Sequence, residues 1–562
     1  MSSLAPASSA RAPRHSPSDG WRRGATTLVL LCLLVVATET RAAAPAGGKA
    51  KLRDLVTLPR INLEIDCSWD VDEGFTFAPN PPDVPAEVAA LTKAMTGRPS
   101  DAERYLRLGN VYDWNHDTTN AHAAYAAALR LYRQQVELQP DDGPLLIKFA
   151  DALHHADKED EADSVLRRAV QVEPKAWRGW LARGRFFLGR AFDALSSPPT
   201  SGRDRAPGRD VVTWLLGRRP SPEQVARSQQ ALADAHEAMN RAVTLAPRQS
   251  EARAGRAAFY CAQGELEATF RLIRGEESDP TTISRAAFTR AGLPDLWEAA
   301  RLDRTNYVLI TCAAGFEAFA EVATKFKAEP PPPKLIDTLP EASQRSIREA
   351  VAWLTDLSQS PNRRLAGGAL EGLGFLQTFA FADNAGALQN ARRAVAADST
   401  LESAWDLLLA LLDDPGHLDE LVRAGEKRVQ LNGSARNHFI LAKCYDRRGD
   451  LSRTEGELRQ AQRLDPKDFP ATLGLAAVCL KGDDPTLLAQ AEQWLDKAYR
   501  LLDPNDTSLE GRLHGIDFLL TASLYHGLTD HLDLARQTAR QVFKIDKENE
   551  HAKEILAALG GG

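Results

Sequence analysis

Residues 138–176 read LQPDDGPLLIKFADALHHADKEDEADSVLRRAVQVEPKA. Pro140 and Pro174 are 34 residues apart, and each closes the same short motif of an apolar residue, a polar residue and proline. Between them, small and apolar residues recur at helical spacing on both sides of a polar turn at residues 157–160. The stretch therefore predicts a repeating unit of two helices, with proline ending the second helix.

Units of this kind recur towards both ends of the chain. Further prolines in the same phase stand at Pro247 and Pro504, and the pair Gly264-Glu265 predicts a turn between two helices. The residues that repeat at matching places, and that we predict to pack the helix pairs together, are Leu108, Gly109, Tyr112, Ala150, Ala162, Pro174, Trp180, Gly184, Phe187, Tyr445 and Pro466.

This set resembles the tetratricopeptide repeat family, most closely over residues 102–190 and 436–505. The resemblance implies an all-α fold, a right-handed superhelical solenoid of helix pairs whose concave groove takes an extended peptide or a partner's helix. The positions that it turns towards the groove are Asn110, Asp113, Asp151, His154, Arg185, Lys443 and Asp446. Leu106 and Ile147 stand where chaperone-binding members need polar clamp residues, so we do not expect binding of a chaperone tail.

The pattern divides the chain into five parts. Residues 1–44 are predicted as a signal peptide or N-terminal anchor, and residues 45–100 as an extended leader compatible with a short β-hairpin over 61–77. An N-terminal array follows over 101–275, with a loop insertion at 190–230. Residues 276–358 are predicted as an irregular helical middle with a proline-rich connector at 329–334, and 359–562 as a C-terminal array with a capping helix.

The first part decides the predicted location. Arginines at 22 and 23 precede an apolar run over 25–37, and small residues follow at 42–44, which is the layout of a secretory signal. We therefore expect an exported chain, periplasmic or secreted, that meets a membrane only if residues 1–44 stay uncleaved. A net charge of −7 over 562 residues gives no field suited to a polyanion, so a nucleic-acid partner is not expected.

The sequence lacks the common catalytic, phosphate-binding and metal-binding motifs. It has no Gly-x-Ser-x-Gly elbow, phosphate-binding glycine loop or His-Glu-x-x-His helix, and its six cysteines form no Cys-x-x-Cys pair. Adjacent histidines on a helix, such as His154 and His155, point about 100° apart and are poorly placed to coordinate the same metal ion. Glycines within 365–375 are interpreted as close helix packing. We predict no catalytic residue, no metal site and no cofactor.

The function that these observations favour is a protein–protein interaction scaffold that binds a peptide or a partner segment in the groove. One alternative is an accessory subunit or a hydrolase-like enzyme that uses the 190–230 insertion over the groove. The other is a self-associating structural component of the cell envelope. A polar cluster converging at the insertion would favour the enzyme, and an open groove would favour the scaffold.

Overall fold

The computed structural model of the chain describes residues 48–59, 84–96, 100–114, 117–195, 220–274, 281–322, 334–412, 415–482, 484–502 and 509–560. Within these ranges the regular structure consists of 23 α-helices and two short 3₁₀ turns, without a strand. The prediction of an all-α fold is confirmed. The predicted signal peptide or anchor 1–44, the predicted hairpin at 61–77 and all of the proline-rich connector except Lys334 lie outside the described residues.

The helices are numbered here in chain order. The first ten are α1 (Gly48–Asp54), α2 (Val84–Thr96), α3 (Ala102–Trp114), α4 (Thr118–Leu138), α5 (Gly143–His155), α6 (Glu159–Val172), α7 (Trp177–Asp193), α8 (Pro222–Leu245), α9 (Ser250–Arg274) and α10 (Thr281–Leu302). The others are α11 (Tyr307–Val322), α12 (Glu341–Leu357), α13 (Arg363–Phe379), α14 (Asn384–Ala397), α15 (Glu402–Leu411), α16 (Leu418–Leu431), α17 (Ala435–Arg448), α18 (Leu451–Leu464), α19 (Phe469–Lys481), α20 (Pro485–Leu501), α21 (Leu509–Leu528), α22 (Leu532–Val542) and α23 (Glu550–Ala558).

Consecutive helices pack in pairs. From α3 onwards each odd-numbered helix, the first helix of a pair, packs against the even-numbered helix that follows it, and the described chain contains ten such pairs. The helix α23 packs on the last pair, as the predicted capping helix should. Since every pair touches the next one, the apolar core continues from pair to pair rather than closing into one globule.

Local chemistry fixes where the helices begin and end. The Asp142 side chain accepts a hydrogen bond from the Leu145 amide at the start of α5, and Ser221 and Gln224 form a capping box at the start of α8. In α5, Leu146 and Leu153 are completely buried. Each leucine buried in this way contributes ~1.5–3 kcal/mol, so tertiary packing supplies most of the stability of each short helix.

Three predictions about segment boundaries are corrected by the helices. The leader 45–100 is not simply extended, because α1 and α2 lie within it. The predicted insertion 190–230 is helical at both ends, since α7 continues to Asp193 and α8 already begins at Pro222. The middle 276–358 is not irregular where it is described, because α10, α11 and α12 continue the packing of helix on helix.

The predicted turn at Gly264-Glu265 is wrong, because α9 runs unbroken from Ser250 to Arg274. Leu266 and Phe270, which follow the glycine, are each 1% exposed. A glycine inside a helix costs about 1 kcal/mol relative to alanine, which is less than the burial of either side chain contributes. Tertiary packing therefore carries the helix through a sequence that reads locally as a turn.

Candidate functional site

First helices also contact one another from pair to pair. The contacts join α5 to α7, α7 to α9, α11 to α13, α13 to α15, α17 to α19 and α19 to α21. We call the surface that the first helices form the first-helix face. Small residues allow the helices of a pair to approach: a Cβ atom at Gly184 would lie 2.9 Å from Cγ of Met239, and one at Gly109 would overlap the Tyr125 ring.

Four of the predicted groove residues lie half-buried in the N-terminal array and contact neighbouring helices. The Tyr125 hydroxyl on α4 donates a 2.8 Å hydrogen bond to Oδ1 of Asn110 on α3. The Tyr125 ring also stacks on His155 of α5, with 4.4 Å between ring centroids. His155 Nε2 lies 3.6 Å from Oδ1 of Asp151, one turn back along α5. Asn110 and Asp151 therefore belong to one polar contact chain that links the first two pairs.

Arg185 and His154 extend this polar surface to the next first helices. A guanidinium nitrogen of Arg185 on α7 lies 4.0 Å from a carboxylate oxygen of Glu251 on α9. The His154 ring on α5 meets the Phe186 ring on α7 edge to face, at 6.1 Å between centroids. Asp113 belongs to α3, but its side chain lies outside the described residues. The result is a mixed polar and aromatic surface that spans α3, α5, α7 and α9.

In the C-terminal array the chain itself covers part of the first-helix face. Residues 48–59, which we call the N-terminal segment, pack through α1 on α19, α21 and α23. Leu52, Val56 and Leu58 are 3%, 2% and 5% exposed and join the core of this array. The sequence offers one clue to this contact, the apolar spacing of these three residues, but no local pattern tells where they dock.

The two predicted groove residues of the C-terminal array are both engaged. Lys443 on α17 donates a 3.3 Å hydrogen bond from Nζ to the carbonyl oxygen of Pro59, the last described residue of the N-terminal segment. Asp446 accepts from Nζ of Lys481 on α19 at 2.6 and 2.8 Å. Lys443 thus contacts a bound stretch of chain, whereas Asp446 joins two first helices.

Several of the repeating residues predicted to pack the pairs lie in the core of the arrays. Ala150, Ala162, Phe187 and Tyr445 are buried, and Trp180 donates from its indole nitrogen to the carbonyl of Pro174 at 3.1 Å. Three features occur together. They are helix pairs of one pattern, small residues where the helices of a pair cross, and a shared layer of first helices. The fold is a tetratricopeptide-type helical repeat.

Comparison with known proteins gives likenesses of fold. No family model and no curated protein matches the chain. Among solved structures, yeast Tom70 is 12% identical, with 84% of this chain and 91% of that chain covered and a TM-score of 0.37. A tetratricopeptide repeat protein from Parabacteroides merdae is 14% identical over 54% of this chain and 99% of its own, with a TM-score of 0.34. YrrB, described as a tetratricopeptide repeat protein with an unusual peptide-binding site, is 14% identical over 36% and 95%, with a TM-score of 0.26.

An acidic group near the insertion was missed by sequence reasoning. Asp193 ends α7 near the start of the predicted insertion 190–230, and burial raises its pKa to about 7, although His154 acts in the opposite direction. Glu159 raises the same pKa and also lies 2.6 Å from Nδ1 of His154. This tetratricopeptide-type repeat therefore gathers His154, Glu159 and Asp193 at the base of the insertion. The apolar run before Asp193 was the only sequence sign of its burial.

Two other kinds of site are absent among the described residues. No group of three or more histidine, cysteine, aspartate or glutamate side chains there could hold a metal ion. None of the helices described combines the length and the apolar character that a membrane span requires. Cys261, Cys312, Cys444 and Cys479 are buried on helices.

Proposed function

We propose that the chain is a protein-interaction scaffold that binds a peptide or partner segment on the first-helix face of its N-terminal array, from α3 to α9. The observation that carries the proposal is the N-terminal segment, since the equivalent face of the C-terminal array already holds a stretch of polypeptide. The N-terminal face offers half-buried Asn110, Asp151, His154 and Arg185. Amide, carboxylate, imidazole and guanidinium groups can hydrogen-bond a peptide backbone and pair with charged side chains.

Photo-crosslinking from this face is expected to capture a partner. We would place a photoreactive residue at Lys148, on first helix α5, and separately at Arg168, on second helix α6; their side chains are 45% and 44% exposed. Only the probe at 148 should reach a partner that lies along the first helices. The measurement is mass spectrometry of crosslinked products formed with the full chain in its native organism.

The partner so identified would then be purified and its affinity measured directly. Because central arginines often dominate interfaces, Arg185→Ala with Asp151→Ala should weaken binding by about 1–3 kcal/mol, or roughly 5- to 150-fold. Arg168→Ala serves as the matched control and should leave the affinity unchanged. Equal crosslinking from 148 and 168, or an affinity indifferent to Arg185 and Asp151, would rule out the N-terminal first-helix face as the binding site.

A second candidate is a hydrolase-like activity at the base of the insertion. It is favoured by Asp193, whose pKa of about 7 and proximity to His154 suit general acid–base catalysis. Hydrolysis of a panel of chromogenic esters and phosphates by the full chain would be compared with that by Asp193→Asn and by Asp141→Asn, an exposed control. Loss of hydrolysis only in Asp193→Asn supports this candidate, and equal rates in all three proteins exclude it.

A further inference from the structure

The N-terminal segment contacts its face through few side chains. Leu52 and Val56 stand one helical turn apart, and Leu58 and Pro59 follow; all four are buried, whereas Lys51 and Thr57 are exposed. Gly527 on α21 leaves room for the first of them, because a Cβ atom there would lie 3.0 Å from Cδ1 of Leu52. The face therefore recognises a spaced row of apolar side chains.

Polar contacts fix the direction in which the segment runs. At one end Lys49 pairs with Asp530, just after α21, at 2.7 Å, and at the other end Lys443 on α17 donates to the Pro59 carbonyl. The segment thus crosses the first helices in the order α21, α19, α17. Both side chains of the Lys49–Asp530 pair are largely exposed, so this pair orients the segment more than it holds it.

The N-terminal segment needs the first-helix face in order to be stably folded, whereas the face has other packing contacts that stabilise it. A helix as short as α1, with seven residues, is not stable alone in water. In contrast, α19 and α21 are already held by their own second helices and by α17 and α23. Lys443 and Pro59 are 384 positions apart, so the chain supplies this segment to its own groove much as a ligand would be supplied.

We infer that residues 48–59 are an exchangeable internal ligand of the first-helix face of α17, α19 and α21, and that this face binds a partner's peptide of the same chemistry. That peptide carries basic residues ahead of an apolar row spaced as Leu52, Val56 and Leu58, followed by proline. The inference rests on the proposed function in one respect, that first-helix faces bind peptides. A tethered ligand acts at a high effective concentration, so an outside peptide competes only when the segment is released.

The test uses a fluorescein-labelled synthetic peptide of residues 48–59 and measures its anisotropy with the full chain. Leu52→Asp with Val56→Asp releases the internal segment, and Thr57→Asp, at an exposed position of the same segment, is the matched control. We expect the released variant to bind the peptide at least tenfold more tightly than the unaltered chain or the control does. Equal binding to all three proteins would overturn the inference, because the peptide would then bind elsewhere.

A second version covers the case in which the released variant does not fold. A protease site inserted within residues 60–83 allows the segment to be cut from the folded full chain while it is still bound. The labelled peptide in excess should then replace the cut segment. A cut segment that neither leaves nor exchanges would make it a permanent part of the core and would overturn the inference. Arg185→Ala should leave exchange unchanged, so failure here and failure of the N-terminal face are told apart.

Discussion

Replacing Arg428 by methionine is expected to lower the free energy of unfolding by roughly 3–5 kcal/mol. Arg428 on α16 donates to both carboxylate oxygens of Asp406, at 2.8 and 3.1 Å, and to a carboxylate oxygen of Glu402. All three side chains are less than one-tenth exposed. Methionine keeps the volume but leaves two carboxylates buried without their cation, which is why the loss exceeds that of a surface ion pair. Urea unfolding followed by circular dichroism measures it.

A matched surface pair provides the control for this prediction. Arg392 also donates two hydrogen bonds to one carboxylate, that of Glu420, at 2.9 and 2.7 Å, but both side chains are partly exposed. Arg392→Met should therefore cost less than about 1 kcal/mol. Replacing Glu402, Asp406 and Arg428 together by apolar residues should recover most of the stability lost in Arg428→Met. Equal costs for the two single variants would contradict the assigned role of burial.

Glu371 is expected to make the chain less stable as the pH rises. This side chain on α13 is buried, and burial raises its pKa to about 8 from an ordinary value of 4.5; nearby Asp406 adds to the rise, while the Ser403 hydroxyl and Arg364 oppose it. The folded state thus binds a proton that the unfolded state has released. Its stabilising effect is complete below about pH 4.5 and is lost as the pH rises towards 8, by roughly 3–5 kcal/mol.

Glu371→Gln tests this because glutamine imitates the protonated acid and can still accept the 2.9 Å hydrogen bond from Ser403. We would measure the free energy of unfolding of both proteins at pH 5 and pH 8.5. The variant should match the unaltered chain at pH 5 and exceed it at pH 8.5. Since the two proteins differ only at residue 371, the change of their difference with pH reports on Glu371. A difference that stays constant with pH would contradict the assigned pKa.

Much of the fold can be predicted because it follows from the spacing of prolines and of small and apolar residues along the sequence. The sequence distance from Pro140 to Pro174 predicts the length of the repeating unit. The glycines in 365–375 are close helix contacts, as predicted, since Cβ atoms at Gly368 and Gly372 would overlap Tyr307 and Thr311. Such positions are dictated by neighbours within the same repeat or the next one. The continuous helix through Gly264 was missed because distant packing, rather than local preference, decides it.

The site is harder to predict because it depends on distant parts of the chain. The family resemblance selects Lys443 and Arg185 as groove positions, and both lie on first helices, but the resemblance cannot say what either side chain contacts. The docking of the N-terminal segment joins residues that are 384 positions apart, and periodicity carries no information about such a contact. The raised pKa of Asp193 likewise depends on His154 and Glu159 from other helices.

The central claim is that residues 48–59 occupy the first-helix face of the C-terminal array. A zero-length carbodiimide crosslinker joins an amine to a carboxylate only when the two are in contact, as Lys49 and Asp530 are at 2.7 Å. Lys148 and Glu103, at 2.6 Å on neighbouring first helices, provide an internal positive control. We predict a Lys49–Asp530 crosslink within one chain, abolished by Leu52→Asp with Val56→Asp. A product that contains the Lys148–Glu103 crosslink but not the Lys49–Asp530 crosslink would contradict the claim.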